Sequence, residues 1–255
     1  EQINYPIIAP FATFMVCVLL SPRIALFSAV FLSLVCSVSL AVAHSKFLIL
    51  NLVVSLIVII CTKNVRKRKE IFSVFAKAAL GSVPLLYVFT LSENQFWSPS
   101  LMIDIGSSFF FLLVSAILAA GLLPVFESVF RILTEMTLVE YLDSSNPLLR
   151  RLALEVPGTY QHSLVVAHLA ESCATEIGAN ALFCRASALY HDIGKILNPQ
   201  FYTENQGIAV DMHQLLTPIE SAEVIISHVT DGEILARKHR LPQAFIDAIR
   251  QHHGT

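Results

Sequence analysis

The chain is 255 residues long, 55% hydrophobic and 14% charged, with a mean hydropathy of +0.67. Soluble domains are about a quarter charged, so a wholly water-facing surface is excluded. Residues 1–125 hold 8 Lys/Arg against 4 Asp/Glu, residues 126–255 hold 9 against 15, and 8 of the 9 histidines lie in the second part. By bulk charge that acidic, His-rich part is not a binder of DNA or RNA polymers; it is suited to holding cations.

Crossing a hydrocarbon core takes about 20 apolar residues. Five segments qualify as spans: residues 5–20, 23–43, 47–62, 71–91 and 101–124. None reads as a signal peptide, because no basic stretch and small-residue cleavage pattern flank a lone apolar run. The run Lys63–Lys69 holds five of the basic residues and is expected in the cytoplasm. The N-terminus is then outside, and everything beyond residue 124 is inside, in a multi-pass protein of the cell (inner) membrane. A first residue that is not Met suggests a protein that continues upstream. Phe96 and Trp97 suit an interfacial anchor, Lys77 and Asp104 are expected to snorkel toward the span ends, and Gly81 with Pro84 can kink the fourth span.

Pro124 is expected to end the last span. Residues 126–142 read as an amphipathic helix, since Phe126, Val129, Phe130, Leu133 and Met136 recur at helical spacing. Ser145 or Asn146 before Pro147 is a helix start, and Pro157-Gly158 closes the short helix 147–155. This linker, residues 126–156, is either a packing element or one that carries a signal inward or forms a homodimer. The remainder, residues 157–255, reads as helices over about 159–177, 180–191, 217–228, 231–240 and 242–253. Thr217-Pro218-Ile219-Glu220 is a capping box. No strand-like alternation, GxGxxG or Walker loop is present, and the five cysteines show no CxxC spacing. The fold class is all-α: a polytopic helical membrane bundle (1–125), then a linker and a helical domain.

Within that domain four places offer metal-ligating side chains: His162, His191-Asp192, His228 and His252-His253. His162 shares a helical face with Val165, Val166 and Leu169, which is expected to point inward. A lone histidine there is usually a satisfied core residue. Several in one small acidic domain are costly to bury without partners, and a shared cation satisfies them together. In His191-Asp192-Ile193-Gly194-Lys195, Gly194 permits a helix stop at which adjacent side chains turn to one point, and Asp192 has two oxygens with which to bridge two ions. Nitrogen and oxygen ligands suit Mn, Fe or Zn, and paired ions are a phosphoester-cleaving device. Lys195 is read either as a phosphate contact or as a solvated lysine. His168, His213 and His239 fall outside the pattern.

The stretches LRRLALEVPGTYQHSLVVAHLAE, IGANALFCRASALYHDIGK, FYTENQ, IISHVTDG and AIRQHHGT, together with the spans, resemble the membrane-bound HD-domain (HDIG) phosphodiesterases with a seven-span receptor-like region. The resemblance covers essentially the whole chain. It implies a helical HD domain over residues 157–255, a two-metal site (Mn or Fe) and cleavage of a cyclic dinucleotide, cyclic di-AMP, to pApA. It also implies that His162 and His191 ligate one metal, that His228, His252 and His253 ligate the other, and that Asp192 bridges. A further Asp ligand, a sensing domain and two earlier spans of the family are expected outside this sequence. The competing reading is a non-catalytic membrane receptor whose HD domain binds a nucleotide or protein partner; six intact ligand residues favour the enzyme.

Overall fold

The computed structural model describes residues 7–39, 44–63, 65–94, 96–206 and 212–254. Among them there are eleven α-helices, short 3-10 turns and no strand. The chain divides into two compact units, residues 1–136 and 137–255.

The first unit is a bundle of α1 (Ala9–Leu19), α2 (Pro22–Ser39), α3 (His44–Thr62), α4 (Glu70–Ser92) and α5 (Pro99–Phe130). The last four are long and apolar enough to cross a membrane. In place of a fifth full-length span, α1 has 11 described residues, about 16 Å of helix. The bundle is apolar outside as well as in its core of residues such as Phe14, Phe47 and Phe75. Small and polar side chains such as Thr13, Ser55, Ser82 and Ser108 are buried, with a 2.8 Å hydrogen bond between the Ser82 and Ser108 hydroxyls. Phe27, Phe31, Phe110 and Ile117 face outward. In lipid, close contact between small residues replaces the hydrophobic driving force.

Two expectations about this unit change. Asp104 does not snorkel: it is 8% exposed and lies on the buried face of α5 with Leu101, Ser108 and Leu112. Pro124 does not end the last span, because α5 runs through it to Phe130, as membrane helices tolerate. The expected helix over 126–142 is therefore split. Its first turn belongs to α5, Arg131 takes a left-handed φ of 54°, and a separate α6 covers Glu135–Tyr141. The break has a polar cause. Glu127, 7% exposed, accepts a 2.9 Å hydrogen bond from Arg68 Nη2 and another from the Thr134 hydroxyl, which folds the chain back on itself.

The second unit contains α7 (Pro147–Glu155), α8 (Pro157–Glu176), α9 (Ala181–Tyr190), α10 (Pro218–Lys238) and α11 (Gln243–Gln251). Their starts follow from sequence. The side chains of Asn146, Asn180 and Thr217 each accept from a first-turn amide, and Glu220 completes the capping box. One aromatic cluster ties the end of α6 to α9 and α11. Phe245 of α11, fully buried, lies 5.0 Å from the Tyr141 ring and 5.5 Å from the Tyr190 ring, and the Tyr190 hydroxyl donates to the Tyr141 carbonyl at 2.7 Å. His191 follows directly on that anchor.

The two helices expected over 217–228 and 231–240 are one helix, α10, with Gly232 inside it. Glycine within a helix costs about 1 kcal/mol. Here it is retained for close packing: a Cβ on Gly232 would meet Ile249 at 2.9 Å, and one on Gly194 would lie 1.9 Å from the His228 carbonyl. The 3-10 turn Ile193–Ile196 thus rests directly on the backbone of α10, which brings Asp192 beside His228. Gly194→Ala should cost about 3 kcal/mol by overpacking against immobile backbone. A thermal melt together with a metal-content assay on the purified protein checks this; an unchanged melt and full metal content would refute it.

Candidate metal centre

The site gathers side chains from four helices: His162 of α8, His191 and Asp192 just beyond α9, His228 of α10, and His252 and His253 just beyond α11. Their ligand atoms form two groups. His162, His191 and Asp192 make one; His228, His252 and His253 make the other; the atoms of each group lie within 4.8 Å of one another. All six predicted ligands are thus brought together. Asp192, 3% exposed, stands between the groups. Its Oδ2 is 3.1 Å from His191 Nε2 and 3.9 Å from His162 Nε2, and its Oδ1 is 3.5 Å from His228 Nε2 and 3.6 Å from His252 Nε2.

Tautomers decide what this arrangement can hold. His191 Nδ1 is 2.6 Å from the Ala188 carbonyl and His252 Nδ1 is 2.7 Å from that of Ile249, while His228 Nδ1 contacts the Ile225 carbonyl. A carbonyl only accepts, so each Nδ1 carries a proton; His228 and His252 then present a lone pair at Nε2, while His191 Nε2 shares a proton with Asp192 Oδ2. The lone pairs of His228 and His252 face a carboxylate and each other, with His228 Nε2 3.2 Å from His252 Nε2; His253 Nε2 lies 3.1 Å from His228 Nε2. Acceptors that converge in this way are placed to share a cation. The backbone bonds on the far nitrogens are also the usual support for a metal-ligating histidine. The residues therefore fit metal ions, and their His/Asp character is that of a metal-binding HD domain.

The charges agree with this. Burial would raise the Asp192 pKa, but His191 and Lys195 outweigh it and hold the carboxyl well below the usual range. Burial opposes charge on His191, but the hydrogen bond and charge of Asp192 and the Ala188 carbonyl overcome that and raise its pKa. Burial lowers the pKa of His228, and holds that of His252 at about 4.

The structure turns Lys195 inward. Burial works against its charge, yet Asp192 and Glu204 overcome that and raise its pKa. Its Nζ lies 2.9 Å from Asp192 Oδ2 and 2.8 Å from Glu204 Oε1, over the Tyr202 ring at 5.0 Å. Tyr202 is itself pushed up to about 12, by burial first and then by nearby carboxylates. Glu204 accepts from the Thr159 hydroxyl at 3.0 Å, and Asn205 bonds Thr159 through both its amide atoms. Glu204, Thr159 and Asn205 support Lys195 at the site and were not singled out by the sequence reading. The signal for Glu204 and Asn205 was FYTENQ, and nothing local ties Glu204 to a lysine nine positions earlier. Gly158 makes the contact possible, because a Cβ there would lie 1.7 Å from the Glu204 carbonyl.

One expectation fails on burial. The His162 face of α8 does not point inward: the His162 side chain is 49% exposed, and Val165 and Leu169 are exposed too. The helix instead buries Thr159, Ser163, Ala167 and Ala174. Small side chains let α9 approach closely, and that outweighs the hydrophobicity of the valine and leucine; His162 reaches the site from its rim. His213 lies outside the site, donating to the Phe201 carbonyl and accepting from Ser221.

Comparison with known proteins follows this geometry. The family model described as "7TM receptor with intracellular HD hydrolase" matches residues 1–134, and the HD domain model matches residues 159–255. The chain belongs to this family. It is therefore a multi-pass membrane protein with its HD domain inside the cell. It is 34% identical over 249 residues, 97% of its length, to cyclic-di-AMP phosphodiesterase PgpH of Listeria monocytogenes, and spans 35% of that relative. Identity to PgpH of Bacillus subtilis is 45% over 55% of this chain and 20% of the relative. Ribonuclease Y of Acholeplasma laidlawii is 37% identical over 94 residues, 37% of this chain and 14% of the relative. A crystal structure of the L. monocytogenes PgpH HD domain with cyclic-di-AMP is 46% identical, with a TM-score of 0.43, over 44% of this chain and 53% of that one.

Two outcomes follow from the site. A metal ion must displace the proton held between His191 and Asp192. Affinity should therefore rise with pH through the raised His191 pKa and level off above it, while His252, held at about 4, adds no dependence near neutrality. Titration calorimetry with Mn²⁺ in two buffers of different ionisation enthalpy should show proton release; none would contradict the proton shared by His191 and Asp192. Gly158→Ala should displace the Thr203–Asn205 turn and lower metal affinity about tenfold or more, measured by competition with a fluorescent chelator.

Proposed function

We propose that the chain is the membrane and catalytic part of a metal-dependent phosphodiesterase that opens a cyclic dinucleotide to its linear form, with cyclic di-AMP as the substrate. The observation that carries this reading is Asp192, a buried carboxylate with one oxygen turned toward each of two histidine groups. The names of the PgpH relatives supply the substrate, of which this chain spans about a third or less.

His162, His191 and Asp192 Oδ2 would hold one divalent ion; His228, His252, His253 and Asp192 Oδ1 would hold a second. The nitrogen and oxygen donors suit Mn or Fe. Ions bound there neutralise charge on a phosphoryl group and activate water for its cleavage. The protein's own contribution is orientation. Asp192 stays ionised because His191 and Lys195 face it, and Lys195 stays in place because Glu204 holds its other side. Lys195 thereby acts on Asp192 rather than as a free phosphate ligand. The bilayer is the partner of the apolar outer surface of the bundle.

The test uses the full chain, extended to the length of its relatives, in detergent or nanodiscs. With Mn²⁺ it should cleave cyclic di-AMP, with cyclic di-GMP and single-stranded RNA as comparison substrates. Full metal occupancy with no turnover of either cyclic dinucleotide would sink the reading in favour of a nucleotide-binding receptor, and preferred turnover of RNA would assign it the ribonuclease activity of its other relatives. Asp192→Ala should lose both metals by elemental analysis and at least about 10³-fold in rate. Two metals retained would disprove the bridging role.

A further inference from the structure

A cavity of about 370 Å³ lies at the end of the membrane bundle where α5 gives way to α6. It is walled by the close of α1 and its turn into α2, by the end of α3 and the start of the basic loop, and by residues 132–136. Because the HD domain is intracellular, this is the cytoplasmic end of the bundle, at the level of the inner-leaflet headgroups. Two opposite charges border the cavity, Lys63 and Glu135, both exposed. They do not pair with each other, and among the described residues neither side chain has an ion pair or hydrogen bond. The Ser21 hydroxyl accepts from the Ile24 amide at 3.3 Å, which leaves its own proton to donate. The other two hydroxyls are committed, Thr62 to the Val58 carbonyl and Thr134 to Glu127. The remaining wall is apolar, and Leu20 at the rim is 61% exposed.

The volume and the few polar groups on an apolar wall are those of a ligand site. A simple anion fits it poorly, because Glu135 borders the same space as the one cation, and a simple cation meets Lys63. A wholly apolar molecule answers neither charge. An amphiphile whose polar end joins an anion to an ammonium answers both. We propose that this cavity binds the headgroup of a phosphatidylethanolamine-type lipid, with the phosphate on Lys63 and Ser21, the ammonium on Glu135, and the apolar part against Leu20 and the apolar wall. Each polar contact is then a charge-assisted hydrogen bond. Basic pockets between membrane helices on the cytoplasmic side bind anionic headgroups; the carboxylate narrows this one to a zwitterion with N–H donors. Occupancy bears on the exit of the chain. Glu135 opens α6, and its neighbour Thr134 is bound to Glu127, which Arg68 holds. A headgroup joining Lys63 to Glu135 fastens the end of α3 to this same segment at a second point.

The experiment measures, by native mass spectrometry, binding of short-chain phosphatidylethanolamine, phosphatidylglycerol and phosphatidylcholine to the full chain in detergent, with inorganic phosphate as competitor. Phosphatidylethanolamine should bind about tenfold more tightly than the other two, one lacking an ammonium and the other an N–H to donate. Glu135→Gln should weaken phosphatidylethanolamine about tenfold and leave phosphatidylglycerol unchanged, which erases the preference; Lys63→Gln should weaken both about tenfold. Both side chains are exposed, so folding is not at stake in either variant. Lipid binding that neither variant alters would mean a general lipid coat and would overturn the site. Tighter binding of phosphatidylglycerol would overturn the zwitterionic assignment, and displacement of the lipid by equimolar phosphate would reassign the cavity to a free anion.

Discussion

Imidazole lone pairs gathered around a buried carboxylate repel one another unless a positive charge lies among them. That constraint organises the intracellular domain. The carbonyls of Ala188, Ile225 and Ile249 fix protons on the far ring nitrogens, which leaves the near nitrogens of His228 and His252 to accept. Other features of the domain bring these acceptors close and keep them there. The Tyr141–Tyr190–Phe245 cluster anchors the end of α9, the glycines at 194 and 232 remove the Cβ atoms that would hold the Asp192 turn away from α10, and the Lys195–Glu204–Thr159 series holds the carboxylate from behind.

The membrane unit obeys the opposite solvent logic with the same residue alphabet. Serines and threonines lie inside beside Phe14, Phe47 and Phe75, and phenylalanines and isoleucines also cover the outside, because the surroundings are hydrocarbon and the scarce resource is a partner for a polar group. In the intracellular domain apolar side chains fill the aromatic core, and the polar groups at its centre are those that a cation would satisfy.

Much of this was legible in the sequence, and the exceptions share a cause. Long apolar runs, the caps at Asn146 and Thr217, and all six ligands were readable because each depends on near neighbours or on residue type alone. Asp192 stood out in the sequence because a carboxylate has two oxygens, and each lies near a different histidine group. Glu204, by contrast, reaches Lys195 and Thr159 only because Gly158 lets its turn approach α8, a fact about three-dimensional distance. His162 was placed on the wrong kind of face because hydrophobicity was weighed and side-chain size was not. The two expected helices around residue 230 are one because Gly232, a helix breaker by propensity, is a spacer by packing.

The end of α5 has the same lesson on the membrane side. Proline was the expected stop, and the chain ignores it; the stop is a glutamate held by Arg68 and Thr134. Arg68 belongs to the basic loop whose charge governs which side of the bilayer it occupies. One residue therefore serves two tasks that are usually separate: it helps set the orientation of the bundle in the membrane, and it fixes the point at which the final helix releases the chain. Selection on the loop for topology cannot act independently of the geometry of that exit.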